Sequence, residues 1–332
     1  MRAAPLLVVV LVLSIAMILL ARTFVPRSGE ALQLPAAIAV TEVAPEAGLQ
    51  GAEKEGSQRS VLEKSYVRFS SQSLEQGDTL VIAASPARKV QTGAVGATDV
   101  DFFELFQRGE WIGLYGVDAK MKPGTYGVRI AFEDGSAYRD EITVRTRSFP
   151  VSELALTPDL EARGYTPKNI VENIVEEENR IVRDAIAAIT HAALFTRPFE
   201  NPLVRMEIAG AYGTIRKSGS SELQHLGVDL DAPRGTHVMA VNDGAVRLAR
   251  QFKNYGNTVV VDHGLGIYSL YLHLDSIGVE QGAKVLRGGV LGHVGDTGYA
   301  LEPHLHFSVK IKDASVDPLR FIEQVSRGAE LE

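Results

Sequence analysis

The sequence predicts a mainly β protein: an N-terminal transmembrane helix, an Ig-like β-sandwich, a connecting amphipathic helix and a C-terminal β-rich domain. Three observations predict it. Residues 3–21 carry no charge. Short runs of β-formers bounded by turn residues recur over 66–148 and again over 210–318. Between them, residues 166–194 repeat apolar side chains at helical spacing. The expected order is a membrane anchor at 1–27, a flexible tether at 28–64, the sandwich at 65–150, a helical connector at 151–200 and the C-terminal domain at 201–332. A chain of 332 residues has ample length for two cores.

Within the first run Ser14 is the only polar side chain, with Arg2 before it and Arg22 after it. A helix of that length extends about 28 Å, close to the hydrocarbon thickness of a bilayer. A cleaved signal peptide is the competing reading, but Leu20-Ala21-Arg22-Thr23-Phe24 offers no small-x-small cleavage site. Arg22 and Arg27 outnumber Arg2, so charge bias alone does not orient the anchor. Residues 28–64 are rich in Ala, Glu, Gly, Gln and Ser and read as a solvated linker.

In the sandwich region, β-forming runs fall at 79–83, 111–115, 125–132 and 141–145. Tyr126, Val128, Ile130 and Phe132 alternate with Thr125, Gly127, Arg129 and Ala131, which gives one apolar face. Pro123-Gly124 and Asp134-Gly135 supply turns at either end. The Cys pair of true Ig domains is absent, and Trp111 is expected to pack rather than to stack on a ligand. Thr166-Pro167 then reads as an N-cap with proline at the first helical position. Ile170, Ile174, Ile181, Ala185 and Ile189 form the expected buried stripe of a helix running to about Leu194, with His191 near its end.

Zero cysteines exclude disulfides, thiolate nucleophiles, Cys-ligated metals and a lipid-modified cysteine together. A net charge of -7 speaks against nucleic-acid binding, which relies on a basic surplus. Any metal must therefore be held by His and carboxylate. Seven of the eight histidines lie after residue 220. His225 and Asp229 are separated by four residues, an offset that puts both on one face of a strand or a helix. In the run from Pro303 to Val309, His304 and His306 share one face while Leu305, Phe307 and Val309 face a core. In 268–274 the same alternation predicts Tyr268, Leu270, Leu272 and Leu274 buried, with Ser269, Tyr271 and His273 opposite. Each pattern alone is met by chance, but three His-bearing polar faces together point to metal or proton-transfer chemistry.

Read together, the motifs are Gly213-x-x-Arg216, His225-x-Gly227-x-Asp229-x-x-Ala232-Pro233-x-Gly235-Thr236 and Ala240-x-x-Asp243-Gly244. They continue as Tyr255-Gly256-Asn257, His263-Gly264, Tyr271-x-His273-Leu274, Gly295-x-Thr297-Gly298 and Pro303-His304-Leu305-His306-Phe307. From Gly210 to Pro318 the chain resembles the lysostaphin/LytM-type zinc metalloendopeptidases, which cut peptide bonds in bacterial peptidoglycan. The resemblance implies that the C-terminal domain is a LytM-type peptidase domain with one Zn2+ held by His225, Asp229 and His306. It implies active-site roles for His273 and His304 without metal ligation. Two imidazoles and a carboxylate leave a fourth position open, as catalytic zinc requires.

The implied substrate is peptidoglycan stem or cross-link peptides. The implied location is the inner membrane, single-pass, with the catalytic domain periplasmic. His237, His263 and His293 are read as ordinary strand or turn residues. Asp231 departs from the family pattern and is either an acceptor behind the site or a rim charge, and residues 217–222 are expected to form an irregular loop. Two other classes were weighed. Lipoyl or biotin carriers need a lysine at a hairpin tip, where this chain has Asn242-Asp243-Gly244, and a phosphotransferase IIA domain would leave the His304/His306 pair idle. A non-catalytic LytM-type regulator or wall-binding module that activates another wall hydrolase is the alternative within the family, and a regulatory protein of the cell envelope is counted among the expected partners.

Overall fold

The computed structural model describes residues 66–105 and 109–328. The expected anchor and tether lie outside the described residues. Among the described residues, no helix is long and apolar enough to cross a membrane.

The chain is mainly β. Val67–Phe69, Thr79–Ala84, Glu110–Gly116 and Phe102–Leu105 pair in that order in one sheet, and Ser73–Glu75, Ala137–Arg145, Gly124–Phe132, Val90–Val95 and Thr98–Val100 pair in another. Leu80, Ile82 and Tyr115 of the first sheet share a core with Val128, Ile130, Phe132, Tyr138 and Ile142 of the second. The alternation read from 125–132 is present: Val128, Ile130 and Phe132 are buried, and Trp111 packs against this core. Thr79–Ala84 is buried at every position, as its unbroken apolar run requires of a strand covered on both faces. Its second face, with Val81 and Ala83, joins Ile112, Leu114, Leu230, Ile311 and Val316 in a larger core. The first sheet is thereby packed directly onto the C-terminal half.

That half is built on an antiparallel sheet ordered Glu207–Gly210, Val228–Asp231, His304–Ile311, Ile267–Leu274, Asn257–Asp262, Gly244–Gln251 and Lys284–Val285. A three-stranded sheet of His237–Met239, Val290–His293 and Ser276–Ile277 contributes Val238 and Leu291 to the same core. Residues 217–222 are not an irregular loop. They belong to the hairpin Ile215–Ser218/Ser221–Gln224, which turns at Gly219 with φ +59°.

The helix differs from its expected form in two ways. Thr166 caps it through a reciprocal pair of bonds with Asn169, and Pro167 opens it, but it ends at Ile186 rather than near Leu194. The Tyr268 hydroxyl and the Arg247 guanidinium take the carbonyls of Ile186 and Ala188, which ends the helical ladder there. Asn173–Glu178 is a π-helical stretch. Its wider turn moves the buried stripe to Ile170, Ile174, Glu178, Val182 and Ile186, so the expected Ile181 and Ala185 are only partly buried and Ile189 falls beyond the helix. His191 also lies past the helix, exposed, with Nδ1 3.1 Å from Asp101 Oδ1.

Candidate metal and active site

Val228–Asp231 and His304–Ile311 pair with Asp229 opposite His306 and Asp231 opposite His304. Both ligand types therefore project from neighbouring strands on one face. His225 sits just before the first of these strands, where Gly227 allows the chain to pass close to His306: a Cβ at Gly227 would stand 2.5 Å from His306 Nε2. Gly210 likewise leaves room for the Asp229 carboxylate.

His225 Nε2, Asp229 Oδ1 and His306 Nδ1 form a triangle with sides of 2.9, 2.9 and 3.0 Å. The surrounding bonds fix which nitrogens carry protons. The His225 Nδ1–H donates to the Ala211 carbonyl at 3.0 Å, which leaves Nε2 as the lone-pair nitrogen. The Ser308 hydroxyl donates to the Leu226 carbonyl, so its oxygen accepts from the His306 Nε2–H at 2.8 Å and Nδ1 keeps the lone pair. Burial pushes the His306 ring down to about 4, against the Asp229 carboxylate, so it is neutral near pH 7. Burial alone would raise the Asp229 carboxyl, but His225 and then His306 hold it well below the usual carboxylate range. Arg216 Nη2 occupies Asp229 Oδ2 at 2.5 Å and leaves Oδ1 turned into the triangle.

Two imidazole nitrogens and a carboxylate oxygen thus converge within about 3 Å of one another, and this donor set fits a divalent ion. Tetrahedral ligands at about 2.0–2.1 Å from zinc stand about 3.3 Å apart, so the observed triangle needs to open by only a few tenths of an ångström.

Geometry separates the two neighbouring histidines of one strand. His306 is inside the triangle, whereas His304 Nε2 lies 3.6 Å from Asp229 Oδ1 and its Nδ1–H donates to the Glu302 carbonyl at 2.8 Å. His273 completes the group, its ring centroid 4.9 Å from that of His304 and 6.0 Å from that of His306. Its Nδ1–H donates to the Thr297 carbonyl at 2.9 Å. Burial, then the His304 and His306 rings, hold His273 well below its ordinary range, which keeps it neutral.

The route by which His273 reaches this face corrects the expected alternation. Tyr271 is opposite Phe307 and Leu272 is opposite His306, so Leu270 and Leu272 share the histidine face while Ser269 and Tyr271 point the other way. Simple alternation would send His273 away with Tyr271. Instead, between the pairs Val259/Tyr271 and Asn257/Leu274 the strand carries one extra residue, and His273 has φ +62°. This bulge inverts the phase, so Leu272 packs beneath the helix while Leu274 enters the main core. It also turns the imidazole back toward His304 and His306.

The remaining histidines lie apart from this group. His263 is fully buried, with its rings of contacts closed by the Asp243 carbonyl and Ser269 Oγ. His237 and His293 face each other across strands, ring centroids 5.2 Å apart. Asp231 is exposed. Sequence reasoning assigned no role to Arg216, Ser308, Thr297 or Ala211. Ser308 had a legible signal, since it lies two residues beyond His306 on the same strand face, whereas the Ala211 and Thr297 contacts use backbone carbonyls and have none.

Comparison with known proteins agrees with this geometry. The family model for Peptidase family M23 matches residues 223–318. The DD-carboxypeptidase/endopeptidase Mpg of Neisseria meningitidis is 40% identical over 95 residues, covering 29% of this chain and 22% of that protein. The peptidoglycan DD-endopeptidase ShyA of Vibrio cholerae is 38% identical over 96 residues, again 29% of this chain and 22% of that protein. The chain thus spans under a quarter of the length of either relative. A Pseudomonas aeruginosa structure assigned to peptidase M23 covers 73% of this chain and 92% of its own, with 26% identity and a TM-score of 0.50. That likeness extends well beyond residues 223–318, into the β and helical segments that precede them. Residues 223–318, which carry these five histidine and aspartate positions, form a peptidase M23 domain.

Proposed function

We propose that the protein is a zinc-dependent endopeptidase that hydrolyses peptide bonds in peptidoglycan stem or cross-link peptides. The observation that carries this reading is the triangle of His225 Nε2, Asp229 Oδ1 and His306 Nδ1, with two further histidines, His273 and His304, beside it that do not belong to it. Zinc bound there supplies a water of lowered pKa and polarises the scissile carbonyl. The chain's own residues do the rest. Arg216 and Ser308 orient Asp229 and His306. His273 and His304, each with Nδ1–H tied to a backbone carbonyl, present a lone pair at Nε2. Either accepts a proton there, passes it to the leaving amine, or, once protonated, donates a hydrogen bond to the developing oxyanion. The peptidoglycan peptidases among the relatives support this substrate class.

The sandwich and helix are read as separate units of a chain anchored through residues 1–27 in the inner membrane, with the peptidase on the periplasmic side. A reporter fused after Glu332 that works only in the cytoplasm would overturn that orientation. The regulator reading is disfavoured because all five residues are present and assembled.

Digestion of purified peptidoglycan by the metal-loaded protein, with released muropeptides identified by mass spectrometry, tests the activity. New stem-peptide termini should appear, vanish on chelation and return with zinc. Metal-bound protein that releases nothing would remove the endopeptidase reading in favour of the regulator.

A further inference from the structure

The segment from Pro158 to Ile186 lies outside residues 223–318, yet it grips the two loops that hold His273. Arg163 Nη2 donates to the Gly298 carbonyl at 2.9 Å, and the Tyr165 hydroxyl donates to the Lys253 carbonyl at 2.5 Å. Asn179 Oδ1 accepts from the Tyr255 hydroxyl at 2.7 Å. The deepest of these anchors is Glu178, 2% exposed. Its Oε1 accepts the Asn254 N–H at 2.7 Å and its Oε2 accepts the Tyr255 N–H at 3.1 Å. No cation pairs with it among the described residues. A buried carboxylate without a counter-charge is costly, and here the Asn254 and Tyr255 backbone amides, with the Asn254 side-chain amide at 3.4 Å, compensate it.

The helix is distorted to place it. Buried positions at 170, 174, 178, 182 and 186 repeat every four residues, whereas an ideal α-helix would drift roughly 160° over that span. The π stretch Asn173–Glu178 absorbs part of the drift and ends on Glu178 itself. Such stretches recur at functional sites.

The gripped loops then act on His273. The Tyr255 carbonyl accepts the His273 N–H at 3.0 Å, and the Thr297 carbonyl accepts its Nδ1–H. The Asn257 N–H donates to Thr297 Oγ1 at 2.9 Å, and Gly256 lies so close to Thr297 that a Cβ would strike its backbone. The two loops are therefore one unit. They hold a non-glycine residue at φ +62°, a conformation that costs on the order of 1–2 kcal/mol and persists only under such constraint.

We propose that Glu178 is a positioning residue for the peptidase: by accepting the Asn254 and Tyr255 amides it fixes the loop whose carbonyl holds His273 against His304 and His306. The helix is then part of the active centre and not only a connector. This rests on the reading of His273 as a proton-handling group.

The test is Glu178→Gln in the full chain, with Arg163→Ala as a second variant that removes the Gly298 tie together with the Arg163 contacts to Tyr165 and Asp159. Glu178→Gln should lower kcat by roughly 10- to 100-fold, the range expected for a misplaced catalytic group. KM should stay within about twofold, with zinc content unchanged. Arg163→Ala should lower kcat by a few fold. NMR of histidine-labelled, zinc-loaded protein should show the His273 ring resonances displaced while those of His225 and His306 stay in place. Folded Glu178→Gln with wild-type kcat and an unmoved His273 overturns the proposal. So does equal displacement of all the site histidines with loss of zinc, which would make Glu178 a general fold residue. If the wild-type protein cleaves no peptidoglycan, the functional reading falls, and the histidine resonances still decide whether Glu178 positions His273.

Discussion

The sandwich at 67–145 and the sheet at 207–316 are both built mainly of antiparallel strands, yet they treat polar residues in opposite ways. In Gly124–Phe132 the buried Val128, Ile130 and Phe132 alternate with more exposed neighbours, and nothing interrupts the period of two. In Ile267–Leu274 every residue is buried, the polar Ser269 and Tyr271 turn into the main core, and a bulge at His273 inverts the phase. Regular pleating builds a scaffold at low cost. The His273 side chain is aimed by breaking the pleat, and the break needs outside support, here from Thr297, Tyr255 and the helix.

The largest expected effect sharpens that contrast. Replacing His306 with Ala removes one corner of the triangle, so zinc content and peptidase activity should disappear together, as metal analysis beside an activity assay will show. His304→Ala and His273→Ala should keep near-stoichiometric zinc while turnover falls by roughly 100-fold or more. Zinc lost from His304→Ala but kept in His306→Ala would reverse the assignment.

In the scaffold the same kind of truncation should act on stability alone. Ile130, 1% exposed, replaced by Ala should cost about 2–5 kcal/mol in denaturant unfolding with zinc stoichiometry unchanged. Acid should act on the buried His263. Burial holds its pKa near about 4 against the Asp243 carbonyl, while the unfolded chain takes up that proton near 6.5. Stability present above pH 6.5 is then lost as pH falls toward 4, by about 3 kcal/mol in all. His263→Gln should flatten that part of the pH profile measured by urea titration. The smallest effect is expected at Asp231, which is exposed across from His304: Asp231→Asn should change kcat/KM by about twofold or less, and a drop of tenfold would show that its charge enters the reaction.

Much of the site was legible because its residues carry short-range signals. His304 and His306 are two apart on one strand, so strand geometry puts that pair on a common face, while the four-residue spacing of His225 and Asp229 marked a pair whose histidine lies just ahead of the strand that carries Asp229. Other features were not legible. The face assignment of 268–274 failed because a bulge is one added residue with no compositional mark. The helix stripe failed because a π turn changes the period without changing the residue types. The expected end near Leu194 failed because the Tyr268 and Arg247 side chains that take the last carbonyls lie far along the chain.

By itself the sequence determined the β character of both halves, the capped start of the helix at Thr166, and the set of His and Asp residues available to a metal. These depend on local propensity, on periodicity and on side-chain chemistry, all of which act within a few residues. Residue pattern left His304 and His306 equivalent; the tertiary structure puts His306, the one the family resemblance names, in the triangle, sets which nitrogen of each ring is tied to a neighbouring oxygen, and turns His273 toward them. Those outcomes rest on contacts between distant segments, Ala211 with His225, Ser308 with Leu226, Thr297 with His273 and Glu178 with Asn254, and such contacts exist only once the chain has closed on itself.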